Sequence, residues 1–195
     1  MKLAVIKYNA GNIQSVSFAL ERLGIDFVIT DDHEEIKKAD KVIFPGVGEA
    51  STTMNYLRER KLDIVIVDLK QPVFGICLGM QLMCKHSEEN NTNCLGIFDE
   101  EVKLFQAQKN MKVPHMGWNE LMLSKKSWLD SSLEKQHVYF VHSYYVPVNK
   151  FTAATTNYIT PFSAVLQKDN FYAAQFHPEK SADAGVKVLQ SFLNL

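Results

Sequence analysis

Pro72-Val73-Phe74-Gly75-Ile76-Cys77-Leu78-Gly79-Met80-Gln81-Leu82 is the stretch from which the rest of the chain can be read. Val73, Phe74 and Ile76 read as a short buried strand and Leu78 to Met83 as the start of an apolar helix, so Cys77 falls at the elbow between them. Gly75 and Gly79 remove side chains that would crowd so sharp a turn. The thiol is then held at the carboxyl end of a strand, over helix N–H groups that favour a thiolate and can hold a developing oxyanion. Cys77 is either a nucleophile or a buried structural thiol, and a partner elsewhere in the chain must separate the two.

A chain of 195 residues, 46% hydrophobic with a formal charge of −1, can bury one substantial core, and a single domain over residues 1–195 is expected. The charge balance gives no reason to expect nucleic acid. Cys77, Cys84 and Cys94 form no C-x-x-C pair, are odd in number and follow no recognisable signal peptide, so free thiols in a reducing cytoplasm are expected, with no metal and no cofactor. Apolar runs stay below the roughly 18 residues that cross a bilayer, so no membrane partner is expected.

The first half alternates strand and helix. Strands are expected at Leu3–Ile6, at 27–29 and at 42–44. A turn over Tyr8-Asn9-Ala10-Gly11-Asn12 leads into a helix carrying Val16, Ala19, Leu20 and Leu23 on one face, and Asp31 and Asp32 can cap a short helix over 34–39. Residues 62–69 fit either a strand or a helix. Too few residues separate them from Val73 for a parallel crossover of roughly a dozen, and helix is the better reading. Such alternation predicts a parallel sheet covered on both faces, with active groups at the strands' carboxyl ends.

Gly46-Val47-Gly48 resembles the front of a dinucleotide fingerprint, but Ser51 stands where the third glycine belongs and the motif follows the third strand rather than the first. A loop that turns a backbone N–H toward the oxygen reacting at Cys77 fits better, with a plain turn as the simplest alternative. Beyond a polar loop over 87–93 come short β-rich runs at 102–105, 138–141, 144–146, 151–155, 163–166 and 171–175, which suggest an extension of the sheet or a small antiparallel layer. A last helix over 182–193 has Ser181 as its N-cap.

The partner for Cys77 lies just before that helix, in Gln175-Phe176-His177-Pro178-Glu179-Lys180-Ser181. Pro178 pushes His177 toward extended angles, where residues two apart share a face, so Glu179 can accept the imidazole N–H while the other ring nitrogen meets the thiol. A surface turn is the plainer reading of the same three residues. His115 and His142 compete for the role of base but lack an acid two residues away, and His33, His86 and His137 are expected in solvent.

Gly75 to Gln81 and His177 to Glu179 resemble the two signatures of the class I glutamine amidotransferases. Gly11 to Val16, Pro45 to Gly48, Pro114 to Asn119, Phe140 to Tyr144 and Lys180-Ser181 resemble, within that class, the glutaminase subunits of imidazole glycerol phosphate synthase. The resemblance spans essentially the whole chain and implies a flavodoxin-like α/β fold whose mostly parallel, mixed sheet carries helices on both faces and an added β-rich layer. It implies glutamine hydrolysis by Cys77, His177 and Glu179. Leu78 and the loop at Val47 and Gly48 would supply oxyanion donors, and Gly48, Gln81, Ser143 and Tyr144 would hold the substrate. Ammonia would pass to a (β/α)8-barrel cyclase subunit in histidine biosynthesis, docked over Asn12, Trp118, Asn119 and Lys180. Lys7, Asn9 and Glu100 depart from the family pattern, the first two at the implied interface. A stand-alone cysteine hydrolase, such as a γ-glutamyl peptidase, and a non-catalytic nucleotide-binding module are the competing readings.

Overall fold

Four short strands and the helices between them make up the first half of the chain in a computed structural model that describes residues 1–9, 12–124 and 127–195. The turn expected over Tyr8–Asn12 includes Ala10 and Gly11, which lie outside the described residues. Strands β1 (Leu3–Ile6), β2 (Phe27–Thr30), β3 (Lys41–Phe44) and β4 (Val73–Ile76) run parallel in the order β2-β1-β3-β4. All but the edge strand β2 are buried at every position, as strands covered on both faces must be.

Helices α1 (Ile13–Arg22), α2 (His33–Lys38), α3 (Ala50–Glu59), α4 (Leu62–Asp68) and α5 (Leu78–Met83) connect and cover these strands. Asp32 rather than Asp31 caps α2, accepting the N–H groups of Glu34 and Glu35 at 2.9 Å. Residues 62–68 are helical as the crossover argument required, with Leu62, Val65 and Ile66 buried while Ile64 and Val67 face outward.

The second half is built differently. β5 (Cys84–Ser87), β6 (Thr92–Asn93) and β7 (Phe98–Leu104) form a small sheet completed by β11 (Tyr144–Tyr145). The expected polar loop over 87–93 is therefore corrected: it is a hairpin, with His86 opposite Asn93 and Ser87 opposite Thr92. Its polar composition hid short strands that bury only one side chain in two. β8 (His115–Glu120) and β10 (His137–His142) make an antiparallel ribbon. β14 (Phe171–Ala174) lies parallel to β4, and β13 (Thr160–Lys168), β12 (Thr152–Tyr158) and β9 (Met122–Leu123) continue the main sheet antiparallel. The β-rich half thus supplies both the sheet extension and separate small sheets.

Register places the chemistry. Ala173 pairs with Gly75 and Ala174 with Ile76, and the Cys77 N–H donates to the Ala174 carbonyl at 2.7 Å. Cys77 and the run Gln175–His177 consequently leave the sheet side by side at its carboxyl edge. Helix α6 (Ala182–Leu193) backs this edge, its C-terminus held by Lys41, whose buried Nζ donates to the carbonyls of Phe192, Leu193 and Leu195 at 2.8–3.0 Å. Gly185 lets α6 press onto the preceding turn, where a Cβ would overlap the Pro178 carbonyl. Ser181 stands at the N-cap position without capping; its hydroxyl instead donates to the His177 carbonyl at 2.7 Å and accepts the Tyr139 N–H at 2.9 Å.

Candidate active site

Cys77 adopts φ 52° and ψ −104°, a conformation that costs a non-glycine residue on the order of 1–3 kcal/mol and persists only when its surroundings enforce it. The enforcement is visible in Gly79, whose missing Cβ lets the first turn of α5 lie against the carbonyl of Phe44 at the end of β3. The elbow opens on a cavity of about 260 Å³ lined on one side by Val47, Gly48, Leu78 and Gln81 and on the other by Ser143 and Tyr144. These are the residues the sequence nominated. Glu89 lines the cavity as well; sequence reasoning missed it because it sits in the hairpin read as a polar loop.

His177 is fully buried and its Nδ1 lies 2.7 Å from Glu179 Oε1. The expected fully extended H-P-E segment is corrected: His177 itself is extended, at φ −102° and ψ 96°, but Pro178–Lys180 form a 3-10 turn that swings the carboxylate back onto the ring. Nε2, the other ring nitrogen, is buried without an aligned hydrogen-bond partner. Burial opposes the imidazolium, yet interaction with Cys77 and then Glu179 outweighs it and lifts the ring's pKa from 6.5 to about 10. A cationic imidazole between a sulfur and a carboxylate is the arrangement that activates a thiol.

Asn12, expected on the partner surface, also bonds Glu179: its Nδ2 donates to Glu179 Oε1 and lies 3.3 Å from His177 Nδ1. Trp118 is 53% exposed, and its ring meets Tyr139 across the ribbon at 6.0 Å. Lys180 is exposed, and half-buried Asn119 donates to the Asn157 carbonyl at 3.0 Å. The Leu78 N–H is already engaged, donating to the Gly46 carbonyl at 3.2 Å, while the Tyr8 hydroxyl pins the Pro45 carbonyl in the same loop.

The competing histidines are occupied with each other. His142 uses Nδ1–H on the Tyr144 carbonyl at 2.7 Å, and its Nε2 lies 3.1 Å from His115 Nδ1. Desolvation by burial depresses both pKa values, to about 3 for His142 and about 4 for His115, so both rings stay neutral. His33 and His86 are partly buried on the Arg60 carbonyl and the Asn91 side chain, and His137 is exposed. Among the described residues, no cluster of His, Cys, Asp or Glu has a metal-binding arrangement, and no helix is long and apolar enough to cross a membrane.

Comparison with known proteins finds relatives along the whole chain. Residues 4–194 match the family described as glutamine amidotransferase class-I. The chain is 62% identical over 196 residues to imidazole glycerol phosphate synthase subunit HisH of Bacteroides fragilis, covering all of both chains. It is 47% identical to subunit HisH 2 of Legionella pneumophila, covering 99% of this chain and 98% of that one. A solved structure titled as a glutamine amidotransferase superposes with a TM-score of 0.74 at 19% identity, over 98% of this chain and 97% of the other.

Proposed function

The chain belongs to the class I glutamine amidotransferases, and from that membership we propose that it is the glutaminase subunit of an imidazole glycerol phosphate synthase of histidine biosynthesis. The observation that carries the reading is the buried His177–Glu179 pair beside a strained Cys77 that opens on a small cavity. Cys77 attacks the side-chain amide carbon of glutamine, His177 protonates the departing ammonia, and a glutamyl thioester remains. Water then adds to the thioester with His177 taking its proton; the carbon–sulfur bond breaks, glutamate leaves, and the electron pair returns to sulfur.

Gln81 and the Ser143–Tyr144 segment line the cavity where the glutamine side chain would lie, and Glu89, half-buried with a raised pKa because of that burial, offers a carboxylate for the substrate's ammonium group. The oxyanion is assigned to the Leu78 N–H together with the loop at Val47 and Gly48. That assignment requires Gly46 to release Leu78, so hydrolysis by the lone chain is slow, and a (β/α)8-barrel cyclase subunit accelerates it by shifting the loop. The cyclase also receives the ammonia and docks beside the His177–Lys180 turn, where Trp118 and Lys180 are exposed and Asn12 and Asn119 lie close by. The reaction is placed in the cytoplasm.

A glutaminase assay on wild type and Cys77→Ala, each with and without the barrel subunit, tests this. Slow basal turnover, strong activation by the partner and complete loss in the variant are expected. Turnover that ignores both the partner and the substitution discards the proposal.

A further inference from the structure

Gln175 emerges next to Cys77 because its predecessor Ala174 is the register partner of Ile76. Its side chain is fully buried, with Nε2 3.7 Å from Cys77 Sγ and Oε1 accepting a hydrogen bond from Gln81 Nε2 at 3.0 Å. Which end of each amide faces which neighbour is fixed by chemistry. The Tyr144 carbonyl can only accept, and the Gln81 amide meets it at 3.0 Å, so that end of Gln81 is the NH2 group. Its second proton goes to Gln175, whose oxygen must therefore face Gln81 and whose NH2 group must face the sulfur. The Val141 carbonyl, 4.0 Å from the thiol, can only accept, so it offers the sulfur no donor.

We infer that Gln175 is a further catalytic residue of the site, donating an amide N–H to the Cys77 sulfur and tying it through Gln81 to the Tyr144 strand of the cavity. This rests on the glutaminase reading above. The donor acts wherever negative charge sits on sulfur: it steadies the attacking thiolate, and it receives the electron pair when the carbon–sulfur bond of the thioester breaks. An amide does this without adding a net positive charge that would repel the His177 imidazolium.

Two variants separate a catalytic from a structural role. Q175E keeps an oxygen for Gln81 but replaces the donor with an acceptor; Q175M removes both. The rate of iodoacetamide alkylation at Cys77, followed by peptide mass across pH in the free chain, reads the thiolate directly, with Cys84 and Cys94 as internal references. Loss of one hydrogen bond to a charged group predicts alkylation about tenfold slower at neutral pH in both variants, with the profile displaced to higher pH. In the complex with the barrel subunit, glutaminase kcat falls about as much, with less change in KM. A Q175E profile that overlays wild type overturns the proposal; should Q175E not fold, a Q175M profile that overlays wild type does so. If wild type in the complex hydrolyses no glutamine while the alkylation profiles still shift, the sulfur contact stands and the glutaminase reading falls.

Discussion

Two donors converge on one oxygen of Glu179: the His177 ring at 2.7 Å and the Asn12 amide. Asn12 therefore helps fix the carboxylate that orients the base, and Asn12→Ala should lower glutaminase kcat about tenfold, the loss expected for one hydrogen bond to a charged group. A residue that served only the partner contact would leave turnover by the lone chain unchanged; here, steady-state assays should find it reduced with and without the barrel subunit. The His115–His142 pair makes a second prediction. Both folded pKa values lie below 6.5, so the unfolded chain takes up protons first: the pair's contribution to stability is intact above pH 6.5 and is lost as pH falls toward about 4 and then about 3. Melting temperature measured across that range should fall for wild type. His115→Phe, which keeps the stack on Phe140 and Tyr158 but removes one titrating ring, should start lower and decline less steeply. Cys77, His177 and Glu179 were legible because their neighbours carry a turn signature: flanking glycines for the thiol, proline for the ring. Glu89 and Gln175 were not, since an acid in a polar run and a glutamine before an aromatic look the same whether or not folding brings them to a sulfur.

The elements were legible in proportion to their periodicity. β1, β3 and β4 are continuous apolar runs and α1 keeps helical spacing, so their places followed from pattern alone. In the small sheet, β7 and β11 overlap the β-rich runs expected at 102–105 and 144–146, while β5 and the two-residue β6 escaped because they lie in and beside a polar stretch with no period to detect. β8 was hidden in a different way: Met116 and Trp118 point outward from it, and its one buried contact, His115, is a residue type with no strand preference. At this scale the contact between α6 and the His177–Lys180 turn is the most sensitive. Gly185→Ala puts a methyl group into the Pro178 carbonyl, and overpacking of this kind costs about 1–3 kcal/mol. Thermal melts should fall by about 3–10 °C for a chain of this length, and activity of the folded fraction should drop as well, because the displaced turn carries the base.

For the molecule as a whole, the exposed indole of Trp118 and the His177–Glu179 pair lie on the same side. Trp118 faces Tyr139, whose carbonyl accepts the His177 N–H at 2.9 Å, so a protein docked on that indole lies one residue from the base. Trp118→Ala should weaken binding of the barrel subunit about thirtyfold or more, as removal of a central aromatic anchor does, while leaving the melting temperature of the isolated chain nearly unchanged; titration calorimetry and thermal melts check the two halves. Substrate and partner came from resemblance to a family, since no spacing of residues announces glutamine or a barrel. The insertion of β14 against β4 also sets an order of events during synthesis. The thiol is laid down in the first half of the chain, but the strand that delivers its base completes the sheet only after residue 174 has been made. A ribosome-bound fragment ending at residue 165 would display a sulfur with no imidazole beside it, so the nascent enzyme stays chemically silent until His177 has been made.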